Sequence, residues 1–189
     1  MLLRLPALPP LRSKNRKGDL AEAAFLSRAL RMGFNLSKPV NTNCRYDFLV
    51  EAGGKYNRVQ VKSVWWSVKK APYYIPIGCG RGLQHRYGTD EVDFFAAYIV
   101  QEEAWYIIPI GAVGDRSKVH VHPHLRGTVG KFERFREAWH LLLPRGVKIG
   151  DLKAQAEPLY DSEDRGNIDP SVRAPSPSPR LGVGRAPSG

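Results

Sequence analysis

Residues 45–66, RYDFLVEAGGKYNRVQVKSVWW, constrain the fold more than any other stretch. Runs of alternating apolar and polar residues flank EAGGKYN, where Gly53 and Gly54 suit a turn needing positive φ. The pattern predicts an antiparallel hairpin with strands at 45–51 and 58–66. Alternation then assigns the faces. Tyr46, Phe48 and Val50 share one side, and Arg45, Asp47 and Leu49 the other; in the partner strand Val59 and Val61 oppose Gln60 and Lys62. The apolar sets coincide, and so do Asp47, Gln60 and Lys62.

Other elements frame this hairpin. A helix is expected over 14–32, ended by Gly33. At about 100° per residue, Ala21, Phe25, Arg28, Ala29 and Met32 fall on its core-facing stripe, with Glu22 on the edge. Strand-like runs follow at 35–40, 73–80 (YYIPIGCG), 94–100 (FFAAYIV) and 105–113 (WYIIPIGAV), with QEEA turning between the last two. KFERFREAWHLLL, 131–143, is amphipathic and reads as a closing helix. The expected class is α/β (α+β), a mixed central β-sheet flanked by helices.

A chain of 189 residues with 42% hydrophobic content supplies one ordinary core. That core belongs to 14–160. Pro6, Pro9 and Pro10 make 1–13 a flexible arm, and 161–189, rich in Pro, Ser and Gly, has too few apolar groups to order itself. The formal charge is +11, and 161–189 carries four basic and four acidic residues, so the excess sits in 1–160. A domain this basic attracts polyanions, of which nucleic acid is the commonest. No basic amphipathic helix with an aromatic face suits lipid, and no run approaches the ~20 apolar residues of a membrane span. A cytoplasmic protein without membrane contact is expected. Cys44 and Cys79 show no paired spacing and are read as packing residues.

One carboxylate, an amide two positions before a lysine, and a helix glutamate suit phosphodiester hydrolysis. A hard cation such as Mg²⁺ takes oxygen ligands, activates a water and offsets charge on the phosphate, while a nearby ammonium stabilises the same transition state.

At these residues the chain resembles the PD-(D/E)XK nuclease superfamily, whose pattern joins a helix glutamate, an aspartate opening a hairpin and an acid-x-Lys triplet. Glu22, Asp47 and Gln60-Val61-Lys62 match it. KGDLAEAAFLSRALRMGFNLSKPVNTNCRYDFLV and EVDFFAAYIVQEEAWYIIPI are similar to the branch that includes group I intron-associated homing endonucleases, written PD-(D/Q)XK because glutamine replaces the middle acid. The likeness covers roughly residues 15–113. It implies a restriction-endonuclease-like fold and catalytic roles for Glu22, Asp47, Gln60 and Lys62. It also implies Mg²⁺, with Mn²⁺ substituting, held by Asp47, Gln60, the Val61 backbone carbonyl and, through water, Glu22. Tyr46 stands where the motif has proline. Gln60 brings an oxygen but no charge, so cation binding should be weaker than with an acid there.

Phosphate anchors are expected from Lys14, Arg16 and Lys17 at the helix start, Ser63, Lys69 and Lys70 behind the second hairpin strand, and Arg81 and Arg86 in the loop GCGRGLQHRYG. That loop lacks the Gly-Lys-Ser/Thr ending of a phosphate-binding loop. His120, His122 and His124 alternate in VHVHPHL, but Pro123 and the lack of an evident supporting acid favour a wet face over a zinc site. Trp65 and Trp66 supply at least one core ring.

Two readings remain open. One is a Mg²⁺-dependent endonuclease for double-stranded DNA, of the intron-homing or restriction-like kind, with Holliday-junction or RNA substrates as variants; the other is a DNA-binding protein of the same fold without hydrolysis. Cutting both strands favours a homodimer or homotetramer.

Overall fold

Lys14–Arg31 forms helix α1, and it stops where a glycine lets it stop. Gly33 has φ +88°, and its N–H donates to the Leu30 carbonyl at 3.0 Å. Ala21, Phe25 and Ala29, spaced by four, are buried. Arg28, expected on the core stripe, is instead exposed, its Nη2 3.4 Å from Glu137 Oε2. It lies at the stripe's margin, where a hydrated guanidinium turns outward. The computed structural model describes residues 14–41, 43–65, 72–78, 85–125 and 130–155. The arm 1–13, the tail 161–189, Trp66, Lys69, Lys70, Cys79 and Arg81 lie outside the described residues, as does the side chain of Lys14.

Among the described residues seven strands follow α1 in two sheets. β1 (Asn35–Ser37), β2 (Phe48–Ala52), β3 (Lys55–Val64), β5 (Phe94–Ile99) and β6 (Ala104–Pro109) build a mixed sheet in the order β1-β2-β3-β5-β6. β3 and β5 run parallel, and the other neighbours antiparallel. β4 (Tyr73–Pro76) and β7 (Lys118–Val121) pair in a small antiparallel ribbon. β5, FFAAYI, lies between β3 and β6 and is apolar throughout because both its faces are covered.

Aromatic rings hold α1 to one face of the sheet. The Phe25 ring centroid lies 5.3 Å from Phe48, 5.7 Å from Trp105 and 5.6 Å from Trp139. On the opposite face Phe95, Ala97, Ile99, Tyr106 and Ile108 pack with Ile75 of β4 and Val119 and Val121 of β7. Gln60 pairs with Phe95 and Lys62 with Ala97, which puts both on this second face, beside the ribbon.

The hairpin forms as its glycines require, with Gly53 at φ +54° and Gly54 at φ +77°. Its first strand begins at Phe48, not at 45. The Asp47 N–H donates to the Val59 carbonyl at 2.9 Å, although Val59 is already opposite Phe48 in the ladder. The chain therefore leaves the ladder at Asp47. Tyr46, expected beside Phe48, packs instead against the second face for this reason.

Other limits also shift. Pro39 keeps β1 to three residues, and Pro109, unable to donate, ends β6 before the four-residue helix α2 (Ile110–Val113). The closing helix expected over 131–143 is absent: this stretch makes two 3-10 turns, Glu133–Phe135 and Trp139–Leu142, and the last helix among the described residues is α3 (Ile149–Gln155). The edge of β6 outcompetes the helical pattern. Glu137, at φ +49°, donates its N–H to the Trp105 carbonyl at 2.8 Å, and its carboxylate accepts from the Trp105 N–H and Trp139 Nε1, each at 2.8 Å. Pairing exposed strand groups outweighs a modest helical preference. No helix among the described residues is long and apolar enough to cross a membrane.

Candidate active site

The departure of the chain from the ladder makes the site. Because main chain no longer covers β3 beyond Asp47, the Val61 N–H is satisfied by a side chain instead, donating to Asp47 Oδ2 at 2.7 Å. The same oxygen accepts from Gln60 Nε2 at 2.5 Å, and that nitrogen lies 3.3 Å from the Val61 carbonyl oxygen. One amide thus bridges a carboxylate and a backbone carbonyl. Burial pushes the Asp47 carboxyl up to about 6; the Val61 N–H opposes this, the Glu22 charge adds to it, and Lys62 and Gln60 pull the other way.

Lys62, two residues past Gln60 on the same face, sends Nζ to within 2.9 Å of the Tyr87 hydroxyl and 4.9 Å of its ring centre. Tyr87 in turn packs edge-on against Phe95 of β5. Tyr87 escapes sequence analysis. It follows the basic loop, and only the parallel pairing of β3 with β5 brings the approach to β5 back beside Lys62.

Glu22 approaches from α1. Its Oε2 lies 2.6 Å from Lys38 Nζ, and Lys38 sits one residue beyond β1 with its ammonium 5.7 Å from the Phe48 ring centre. The hydrogen bond to Glu22 raises the Lys38 ammonium above the usual lysine range against its desolvation, with the charges of Glu22, Asp47 and Asp19 adding. Lys38 is thus paired with Glu22, and the Glu22 charge acts on Asp47. Nothing in the sequence singles out Lys38.

The expected anchors divide. Lys17 lies 5.6 Å from the Trp65 ring centre, and Trp65 Nε1 donates to Ser63 Oγ at 3.0 Å, so α1 and the end of β3 bring Lys17 and Ser63 together. Arg16 is exposed on α1. Arg86 is tied to Asp115 at 2.8 Å. The three histidines do not converge: His120 stacks edge-on against Tyr74, and His122 and His124 have ring centroids 6.1 Å apart. Cys44 is exposed rather than packed, because its segment lies outside the ladder.

Among the described residues no three His, Cys, Asp or Glu side chains gather as a metal site. The donors beside β3 are of another kind: two carboxylates, an amide and a main-chain carbonyl. Asp47, Glu22 and the Val61 carbonyl offer oxygen, as a hard divalent cation requires; Gln60 now turns its N–H, a partial positive charge, between the Asp47 and Val61 oxygens, and would offer its amide oxygen only after turning over.

A family model described as PD-(D/E)XK endonuclease matches residues 12–141. Among solved structures, the bacterial homing endonuclease I-Ssp6803I is similar at 30% identity and a TM-score of 0.58, covering 76% of this chain and 96% of that one. The Holliday junction resolvase Hjc of Archaeoglobus fulgidus is similar at 18% identity and a TM-score of 0.36, covering 56% of this chain and 83% of that one. No curated protein matches.

Proposed function

The chain belongs to the PD-(D/E)XK endonuclease family, and on that premise we propose that it is a divalent-metal-dependent endonuclease acting on double-stranded DNA, with its active site at Asp47, Gln60, Lys62 and Glu22. One observation carries this reading. β3 and the residue just before β2 present a carboxylate, an amide and a carbonyl at one point, with an ammonium two positions past the amide on β3.

Asp47, Gln60 through its amide oxygen, and the Val61 carbonyl would hold the ion, with Glu22 adding charge from α1. Mg²⁺ or Mn²⁺ held there would supply positive charge to the phosphate oxygens and acidify a water. Lys62, fixed by the Tyr87 hydroxyl, places a cation where negative charge grows in the transition state. Its position on β3 makes that placement rigid. Lys17, Arg16 and Ser63 lie at the neighbouring end of the helix and strand, suited to the DNA backbone. The +11 charge favours the same polyanion, and the likeness to a homing endonuclease supports duplex DNA. Cleavage of both strands is simplest from two copies of the site, in a homodimer or homotetramer.

The test is incubation of supercoiled plasmid with the full chain and Mg²⁺. Wild type should nick or linearise it, and Asp47→Ala and Lys62→Ala should reduce the rate by at least about 100-fold while still retarding DNA in a gel. Plasmid left intact by all three proteins while they bind it alike would assign a binding role instead. Preferential cutting of four-way junctions or RNA would change the substrate.

A further inference from the structure

We propose that Lys38 is the resident counter-ion of the candidate metal site: its ammonium holds Glu22 in the metal-free protein and yields that carboxylate when a divalent cation binds. The inference rests on the metal-site reading of the preceding subsection and adds to it a residue that competes with the ion.

The geometry points to competition rather than to a structural ion pair. Lys38 Nζ and Glu22 Oε2 are 2.6 Å apart, but the partners differ in burial: the Lys38 side chain is 62% exposed and Glu22 23%. An exposed ammonium on a flexible stem returns to water with little loss, whereas the half-buried carboxylate stays where α1 puts it. Lys38 is also anchored to the site's wall, over the ring of Phe48, the residue next to Asp47. Its charge interacts with Asp47 as well as Glu22, so it is drawn to both carboxylates that would face the ion. Ammonium and divalent cation compete for the charge of the same Glu22 carboxylate. Binding of the ion therefore works against the Lys38 contact, and removing Lys38 should strengthen metal binding, the reverse of what removing a ligand does. For an exposed pair the gain is about two- to fivefold.

The experiment is Mn²⁺ titration calorimetry on the full chain without DNA, comparing wild type, Lys38→Met, Glu22→Gln and Asp47→Asn. Lys38→Met should bind Mn²⁺ about two- to fivefold more tightly, with the advantage shrinking as KCl screens the wild-type pair. In a Glu22→Gln background the same substitution should give a smaller gain, because only the interaction with Asp47 is then removed. Lys38→Arg should keep wild-type affinity. Mn²⁺ binding that Asp47→Asn weakens but Lys38→Met leaves unchanged or weakens overturns this inference alone. Absence of Mn²⁺ binding in every protein overturns the metal-site reading and this inference with it.

Discussion

Gln60 donates its amide N–H to Asp47 Oδ2, so a carboxylate that burial makes hard to ionise is held by a neutral side chain rather than by a fixed positive charge. Four expectations follow from this relationship and from the packing around it.

The first concerns stability and pH. The Asp47 carboxyl, raised to about 6, ionises less readily in the folded than in the unfolded chain, whose aspartate titrates near ~4. Its stabilising contribution is complete below about pH 4 and is lost as pH rises through about 6. Metal-free protein should therefore lose stability across that window. Asp47→Asn should abolish the loss and raise stability at pH 7 by on the order of 1 kcal/mol, after allowance for solvent screening. Urea unfolding in a chelator at several pH values measures this, and an unchanged or lowered midpoint at pH 7 contradicts it.

The second tests the support of Lys62. Tyr87→Phe removes the hydroxyl that accepts from Lys62 Nζ but keeps the ring that packs on Phe95. Single-turnover cleavage should slow by roughly tenfold, equivalent to about 1.4 kcal/mol, with DNA affinity unchanged. Equal loss of binding and rate would show that Tyr87 contacts DNA rather than positioning the lysine.

A third concerns the core beyond the site. Asn57, 2% exposed, donates Nδ2 to the Leu142 carbonyl at 2.9 Å, joining β3 to the 3-10 turn at Trp139–Leu142. Asn57→Ala leaves that carbonyl unpaired and should destabilise by about 1–3 kcal/mol. A shift in thermal midpoint below 1 °C would mean that water replaces the amide.

The fourth is Gly33→Ala. A Cβ there would lie 3.0 Å from Leu152 of α3, on a backbone at φ +88°. Strain and the clash together should cost about 1–3 kcal/mol, seen in denaturant unfolding, without altering the plasmid-cutting rate of the folded fraction.

The end of α1, the hairpin turn and the shared face of Gln60 and Lys62 were legible because each is a local decision: a glycine at positive φ, an apolar residue every fourth or second position. What escaped was decided at a distance. KFERFREAWHLLL carries a helical period, yet Glu137 abandons it to complete the hydrogen bonds of Trp105, a partner 32 residues away. Lys38 and Tyr87 join the site only after β1 and β5 have taken their places, and no spacing in the sequence encodes those contacts. Gln60 was legible as a candidate ligand, but its present bond to Asp47 follows from the break in the ladder, which alternation cannot show.

The clasp of Glu137 on Trp105 also decides where the central sheet can grow. With that border of β6 occupied by the chain's own residues, a strand offered by another molecule would meet resistance there and must seek the opposite margin at β1, where three short residues give a poor template for recruitment into fibrils.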